Sequence, residues 1–254
     1  MPFPSFRIRA AAPHGALPAV TWLAVAIGLP ALFMSPAVAG AAAAGAQLGG
    51  EPASADVRLV ADWAFRSGDH GNRAVVVVDK KEAKVFVFDR QGRLQSAAPA
   101  LLGSARGDHT VPGVGDKPLA QVLPAERTTP AGRFVAEPGV NAQGEDVVWV
   151  DYGAAVSMHR VRANVRSERR LERLASPTPR DNRISFGCIN LPVSFYEKVL
   201  RPTVASVGAV IYVLPETQPV ARFFGASDTP PTAGHARVRQ GQRAGDDAAL
   251  ERRP

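Results

Sequence analysis

Cys188 is the only cysteine in the 254-residue chain, and its setting is Ser185-Phe186-Gly187-Cys188-Ile189-Asn190. A lone thiol cannot close an internal disulfide. It is a buried bystander, half of an intermolecular bridge, or a working group. Its neighbours favour work. Gly187 lets the backbone approach a substrate closely, and small residues beside a thiol leave amide hydrogens free to face a developing oxyanion. A thiol also needs a base or a positive field to become a thiolate near neutral pH. His159 closes the strand candidate Ala155–His159 and is the best base available, on a rigid edge facing the cysteine. Ser185 and Asn190 are types that brace a loop by hydrogen bonds. Together these residues support a nucleophilic thiol with a base beside it.

Other chemistries fit less well. His70 and His109 do not recur with other histidines or acids at helical or strand ligand spacing, so neither a metal nor a cofactor is expected. The formal net charge of +7 suits work beside an anionic cell wall. Its arginines sit in a mid-chain segment and in the tail without interleaved aromatics, and no nucleic-acid partner is expected.

The elements that must position these residues lie between two tails. Residues 1–39 have the pattern of a signal peptide: Arg7 and Arg9, an apolar stretch from Ala19 to Leu29, and Ala37-Val38-Ala39 as a small-x-small site before Gly40. An uncleaved anchor is the alternative, and Ala16–Met34 approaches the ~20 apolar residues of a membrane span only by including two prolines. Residues 40–56 are an Ala/Gly-rich linker, and 216–254 have the composition of a disordered tail, with Phe223 and Phe224 as candidate docking points. Between them, 57–215 form the folded domain. Ala74–Asp79 and Ala83–Asp89 are Val/Phe-rich runs joined as a hairpin, and Leu94–Gly103 follows as a third strand. Gly132–Glu137, Val147–Asp151, Ala155–His159 and Gly208–Leu214 are further strands. Val161–Ala175 and Pro192–Leu200 carry helical patterns. The expected fold is a single mainly β domain, sandwich- or barrel-like, with a few helices.

The chemistry-bearing stretch resembles the catalytic domain of the L,D-transpeptidases (the YkuD-type fold), whose signature is a histidine followed downstream by Ser/Thr-His-Gly-Cys-apolar-Arg/Asn. Ser185, Gly187, Cys188, Ile189 and Asn190 match it, and Thr129-Pro130-Ala131-Gly132-Arg133-Phe134 is similar to the family's Thr-Pro-x-Gly-x-Phe segment. The resemblance spans most of residues 73–214. It implies that Cys188 attacks the carbonyl preceding a terminal D-alanine, that His159 is the general base, and that the amides of Gly187 and Cys188 hold the oxyanion. Ser185 and Asn190 then brace the loop. It implies peptidoglycan stem peptides as donor and acceptor, a role in cell-wall organisation and cell shape, a monomer exported to the periplasm or envelope, and membrane contact only through an uncleaved leader.

Three departures stand out. Phe186 replaces the family's second histidine, Arg160 follows the base where glycine is common, and the spacer to Ser185 is lengthened by the arginine-rich segment 162–183. Phe186, Arg160 and Arg183 are candidate substrate-binding residues, and Arg166, Arg169, Arg170 and Arg173 are candidates for stem carboxylates or for pairing with Glu168 and Glu172. The alternative function is a catalytically impaired peptidoglycan-binding module on the same scaffold. Sortase-like and papain-like enzymes fall behind, because the chain lacks the sortase Thr-rich run and places its histidine before its cysteine.

Overall fold

A computed structural model describes residues 45–226 of the chain. The leader with its cleavage site, the start of the linker and the tail beyond 226 lie outside the described residues. Eleven strands and five α-helices follow in order. They are β1 (Ala74–Asp79), β2 (Lys84–Phe88), β3 (Leu94–Pro99), β4 (Leu102–Gly103), β5 (Gly132–Val135), β6 (Glu137–Val140), β7 (Asp146–Asp151), β8 (Val156–Arg160), β9 (Arg183–Ser185), β10 (Ile189–Leu191) and β11 (Ala209–Val213). The helices are α1 (Ala55–Arg66), α2 (Arg170–Ala175), α3 (Val193–Phe195), α4 (Arg201–Val207) and α5 (Val220–Phe224).

The fold is mainly β. A five-stranded sheet has the order β3-β2-β1-β11-β5, a four-stranded sheet β10-β8-β7-β6, and β4 pairs with β9 as a small ribbon. β1, β2 and β11 are apolar on both of their alternating faces, apart from Asp79 and Lys84 at the ends of β1 and β2. Val76, Val78, Val85, Val87, Ile211 and Val213 face a core shared with Val148, Val150, Met158, Ile189 and Leu191 of the second sheet. Val75, Val77, Phe86, Phe88, Val210 and Tyr212 face a second core against α1 and α5. The result is a sandwich with a helical layer on one outer face. Neither of the two larger sheets closes on itself among the described residues, so the barrel-like alternative is not the one adopted.

Helix α1 lies across the expected linker boundary. Ser54 caps it, its Oγ accepting the Val57 amide at 3.2 Å. Val57, Val60, Ala61, Ala64 and Phe65 recur at helical spacing and are buried. Ahead of it, Gln47 bridges Arg93 and the Ala46 amide donates to Asp62 at 2.7 Å. The folded part therefore begins earlier than residue 57.

It also ends later than 215. Thr217 donates to Asp108, and Phe224 of α5 meets the Tyr212 ring at a centroid distance of 5.8 Å. The expected helix Val161–Ala175 shrinks to α2 and a preceding 3-10 turn, Arg166–Glu168. Val161 instead continues beside β10, its amide donating to Leu191 at 2.7 Å. The helix beginning after Pro192 runs past its expected end at Leu200: α3, a π-helical stretch Tyr196–Leu200 and α4 follow without a break. Pro202, which cannot donate to a helical ladder, is accommodated next to the turn that is already widened.

Candidate active site

Strand register assembles the site. β8 and β10 run parallel, pairing Met158 with Ile189, His159 with Asn190 and Arg160 with Leu191. Met158 and Ile189 point into the core at 0 % exposure. Alternation then sends Ser157 and His159 to the opposite face, and likewise Cys188 and Asn190. Four polar side chains share one outward face, where they line a cleft of about 460 Å³ with Trp149, Phe186, Leu119, Arg162 and Arg170 among its walls.

The turn carrying Cys188 links β9 to β10. Gly187 sits at φ +133°, a conformation that side chains rarely adopt, and a Cβ there would stand 2.9 Å from the Thr128 carbonyl oxygen. Ser185 Oγ closes the turn from within, donating to the Cys188 carbonyl at 2.6 Å and accepting the Gly187 amide at 3.1 Å. This corrects one expectation. The Gly187 amide is spent inside the turn, so it does not face a reacting carbonyl.

His159 is held by its own strand. Nδ1 lies 2.8 Å from the Arg160 carbonyl oxygen. A carbonyl only accepts, so Nδ1 carries the proton and Nε2 keeps the lone pair that a general base needs. Asn190 Nδ2 faces Nε2 at 3.3 Å and the Cys188 carbonyl at 3.4 Å. The thiol has Ser157 Oγ at 3.7 Å and the Ala155 carbonyl at 3.5 Å. Burial pushes the thiol pKa up, but hydrogen bonding and charge from His159, then hydrogen bonding from Ser157, more than offset it, and the net shift is downward. Of these, the Ser157 contact meets hydrogen-bond geometry. No hydrogen bond joins His159 to the thiol among the described residues, and its Nε2 faces Asn190.

The candidate substrate-binding residues divide. Phe186 lines the cleft, 38 % exposed, with the Arg127 guanidinium 4.1 Å above its ring. Arg160 points away from the cleft: its guanidinium binds Asp146 and Glu197 and lies over the Tyr196 ring. Only its backbone serves the site. Arg183 is also elsewhere, buried against Glu216 with a further bond to the Lys80 carbonyl. Both are corrections with one cause, since each arginine sits beside an acid that neutralises it.

In the arginine-rich insert, Arg169 pairs with Glu172 and Arg173 holds the carbonyls of Glu168 and Asp181. Arg170 reaches the cleft, bound to Glu168 and to Asn190 Oδ1. A guanidinium only donates, so it dictates which end of the Asn190 amide faces His159.

Ser157 and Arg127 are not among the expected site residues, and Arg170 is expected there for stem carboxylates or for pairing with Glu168, not as a partner of Asn190. Ser157 was within reach of sequence reasoning, because a residue two before His159 on a strand shares its face. Arg127 and Arg170 are brought in by loop paths that no local pattern encodes. His70 is structural, its Nδ1 bonded to the Ala64 carbonyl at 3.0 Å. Among the described residues no group of three or more histidines, cysteines or acids gathers as a metal site, and no helix is long and apolar enough to cross a membrane.

No protein-family model matches the chain, and no curated protein matches it. Solved structures similar to it include an L,D-transpeptidase from Mycobacterium smegmatis, at 21 % identity and TM-score 0.31 over 56 % of this chain and 58 % of that one. An L,D-transpeptidase from Mycobacterium tuberculosis H37Rv aligns at 15 % identity and TM-score 0.34, over 55 % of this chain and 57 % of that one. The helical cell shape determining protein Pgp2 from Campylobacter jejuni aligns at 15 % and 0.37, over 57 % and 49 %. The chain thus spans about half to three-fifths of the length of these three structures.

Proposed function

We propose that this protein is an exported cysteine acyltransferase of the L,D-transpeptidase type, acting on peptidoglycan stem peptides. The observation that carries the proposal is that a thiol, Cys188, and a histidine whose Nε2 is the unprotonated nitrogen, His159, lie on one face of two paired strands. The Ser185-x-Gly187-Cys188-Ile189-Asn190 signature adds the substrate class through its resemblance to that family.

In this reading His159 Nε2 takes the Cys188 proton, and the thiolate attacks the carbonyl carbon preceding a terminal D-alanine. The tetrahedral oxyanion forms against the Cys188 amide. As the carbon–nitrogen bond breaks, the imidazolium returns the proton to the departing D-alanine amine and a thioester remains. An acceptor amine then gives its proton to His159, attacks the thioester, and expels the thiolate. Water in place of the amine turns the same cycle into trimming.

Incubating the protein with a disaccharide tetrapeptide and reading products by mass tests the proposal. Cross-linked or hydrolysed product with release of D-alanine is expected, and Cys188→Ala abolishes it. Bound but unreacted tetrapeptide would instead favour the impaired wall-binding module that Phe186, standing in for a histidine, suggests.

A further inference from the structure

We infer that Thr129 is a positioning residue that aims the Cys188 amide at the reacting carbonyl, an inference that rests on the acyl-transfer chemistry proposed above. Thr129 is polar yet wholly buried. Its Oγ1 accepts the Gly103 amide at 2.9 Å and donates to the Gly187 carbonyl oxygen at 2.8 Å. Gly187 joins Cys188 through a trans peptide, in which the carbonyl and the amide hydrogen point in opposite directions. Anchoring the Gly187 carbonyl in the interior therefore turns the Cys188 N–H outward, towards the cleft that the thiol lines.

Of the two amides expected to hold the oxyanion, that is the one left. The Gly187 amide is taken by Ser185 Oγ, and the Cys188 carbonyl accepts from Ser185 and Asn190. The Cys188 amide has no hydrogen-bond partner among the described residues. A backbone N–H that faces the cleft beside a nucleophile is placed to donate to a developing negative charge.

The surroundings are built to hold this one hydroxyl still. A Cβ on Gly103 would stand 2.3 Å from the Arg127 carbonyl oxygen, and one on Gly187 would stand 2.9 Å from that of Thr128. Three backbone segments thus meet with no room for side chains between them, and the Thr129 hydroxyl bridges two of them to the third. Thr129 is fixed from its other end by buried Lys80, whose Nζ donates to the Thr129 carbonyl at 3.0 Å. The Thr-Pro segment noted in the sequence thereby gains a purpose, which is to hold the oxyanion donor in register.

Two reagents separate this positioning role from general support of the fold. Acylation of Cys188 by p-nitrophenyl acetate breaks the ester carbon–oxygen bond, expels p-nitrophenolate and passes through a tetrahedral oxyanion. Alkylation by iodoacetamide expels iodide from a saturated carbon and forms no oxyanion. Thr129→Val is expected to lower the ratio of acylation to alkylation rates by about 100-fold, the cost of losing one oxyanion donor, while Thr129→Ser restores it. If Thr129→Val does not fold, Thr129→Ala, which leaves space for water, is read the same way.

A ratio equal to wild type in the folded variant overturns the inference, as does a wild-type protein that is alkylated but not acylated. The probe needs no stem peptide. Failure of tetrapeptide turnover with a lowered ratio would sink the proposed substrate and leave the role of Thr129 standing.

Discussion

A thiol surrounded by protein atoms holds its proton, so the reactivity of Cys188 depends on what its polar neighbours supply. Burial works against the thiolate, and His159 and Ser157 work for it with the larger combined effect. The deprotonated nucleophile therefore persists below the ordinary thiol value of about 8.5 and is lost as pH falls through the lowered value. Iodoacetamide alkylation of the wild type should reach half its plateau rate below that ordinary value. In His159→Ala burial is left opposed only by Ser157, and the midpoint should move upward; an unmoved midpoint would show that His159 does not act on the thiol. The turn is equally exacting. Gly187→Ala places a methyl 2.9 Å from the Thr128 carbonyl at φ +133°, a strain of order 1–3 kcal/mol, and should slow acylation while leaving the overall fold intact by circular dichroism.

At the scale of elements, the parallel pairing of β8 with β10 does most of the assembly, and the loops decide how it is tuned. The residue types of the pair Cys188 and His159 were legible because a glycine-cysteine turn and a strand-terminal histidine are local patterns. Their register was not, since parallel partners 31 residues apart leave no periodic mark. Helix α1 was missed although Ser54 and the spacing of Val57, Val60, Ala61, Ala64 and Phe65 encode it; alanines in its apolar stripe blend with the Ala-rich stretch before it. The arginine-rich insert misled in the other direction. Its charges suggested one continuous helix, but Arg173 satisfies loop carbonyls, and Arg170 leaves the insert to hold Asn190. Arg170→Met should let the Asn190 amide rotate, and is expected to slow acylation by about tenfold, less than the roughly 100-fold or more that a general base itself contributes. Arg170→Lys should not restore the rate, because an ammonium lacks the planar fork that fixes an amide. Acylation kinetics on the two variants check this; full activity in either would remove Arg170 from the site.

At the scale of the whole molecule, stretches distant in sequence are tied together by buried charge. Lys80 and Asp108 are fully buried and 3.0 Å apart, with Glu216 and Arg183 completing the cluster. Asp108 also accepts the amides of Glu216 and Thr217. Three distant stretches of chain thereby meet at the Asp108 carboxylate, and Arg183 joins them through Glu216. Burial raises the Asp108 pKa, but hydrogen bonds from Thr217, the Glu216 amide and Lys80 outweigh this and hold it well below the usual carboxylate range. With the folded-state value depressed, the stabilisation is present above an unfolded value of about 3.9 and is lost as pH falls through the folded one. Breaking a buried pair leaves an uncompensated charge, so Asp108→Asn should cost about 3–5 kcal/mol in denaturant unfolding near neutral pH. Its deficit relative to wild type should narrow below pH ~4, where the wild-type carboxylate begins to lose its advantage. Because Lys80 also holds the Thr129 carbonyl, the same variant should slow ester acylation more than alkylation. A stability loss with an unchanged rate ratio would show that the charge cluster supports the fold without reaching the Cys188 amide.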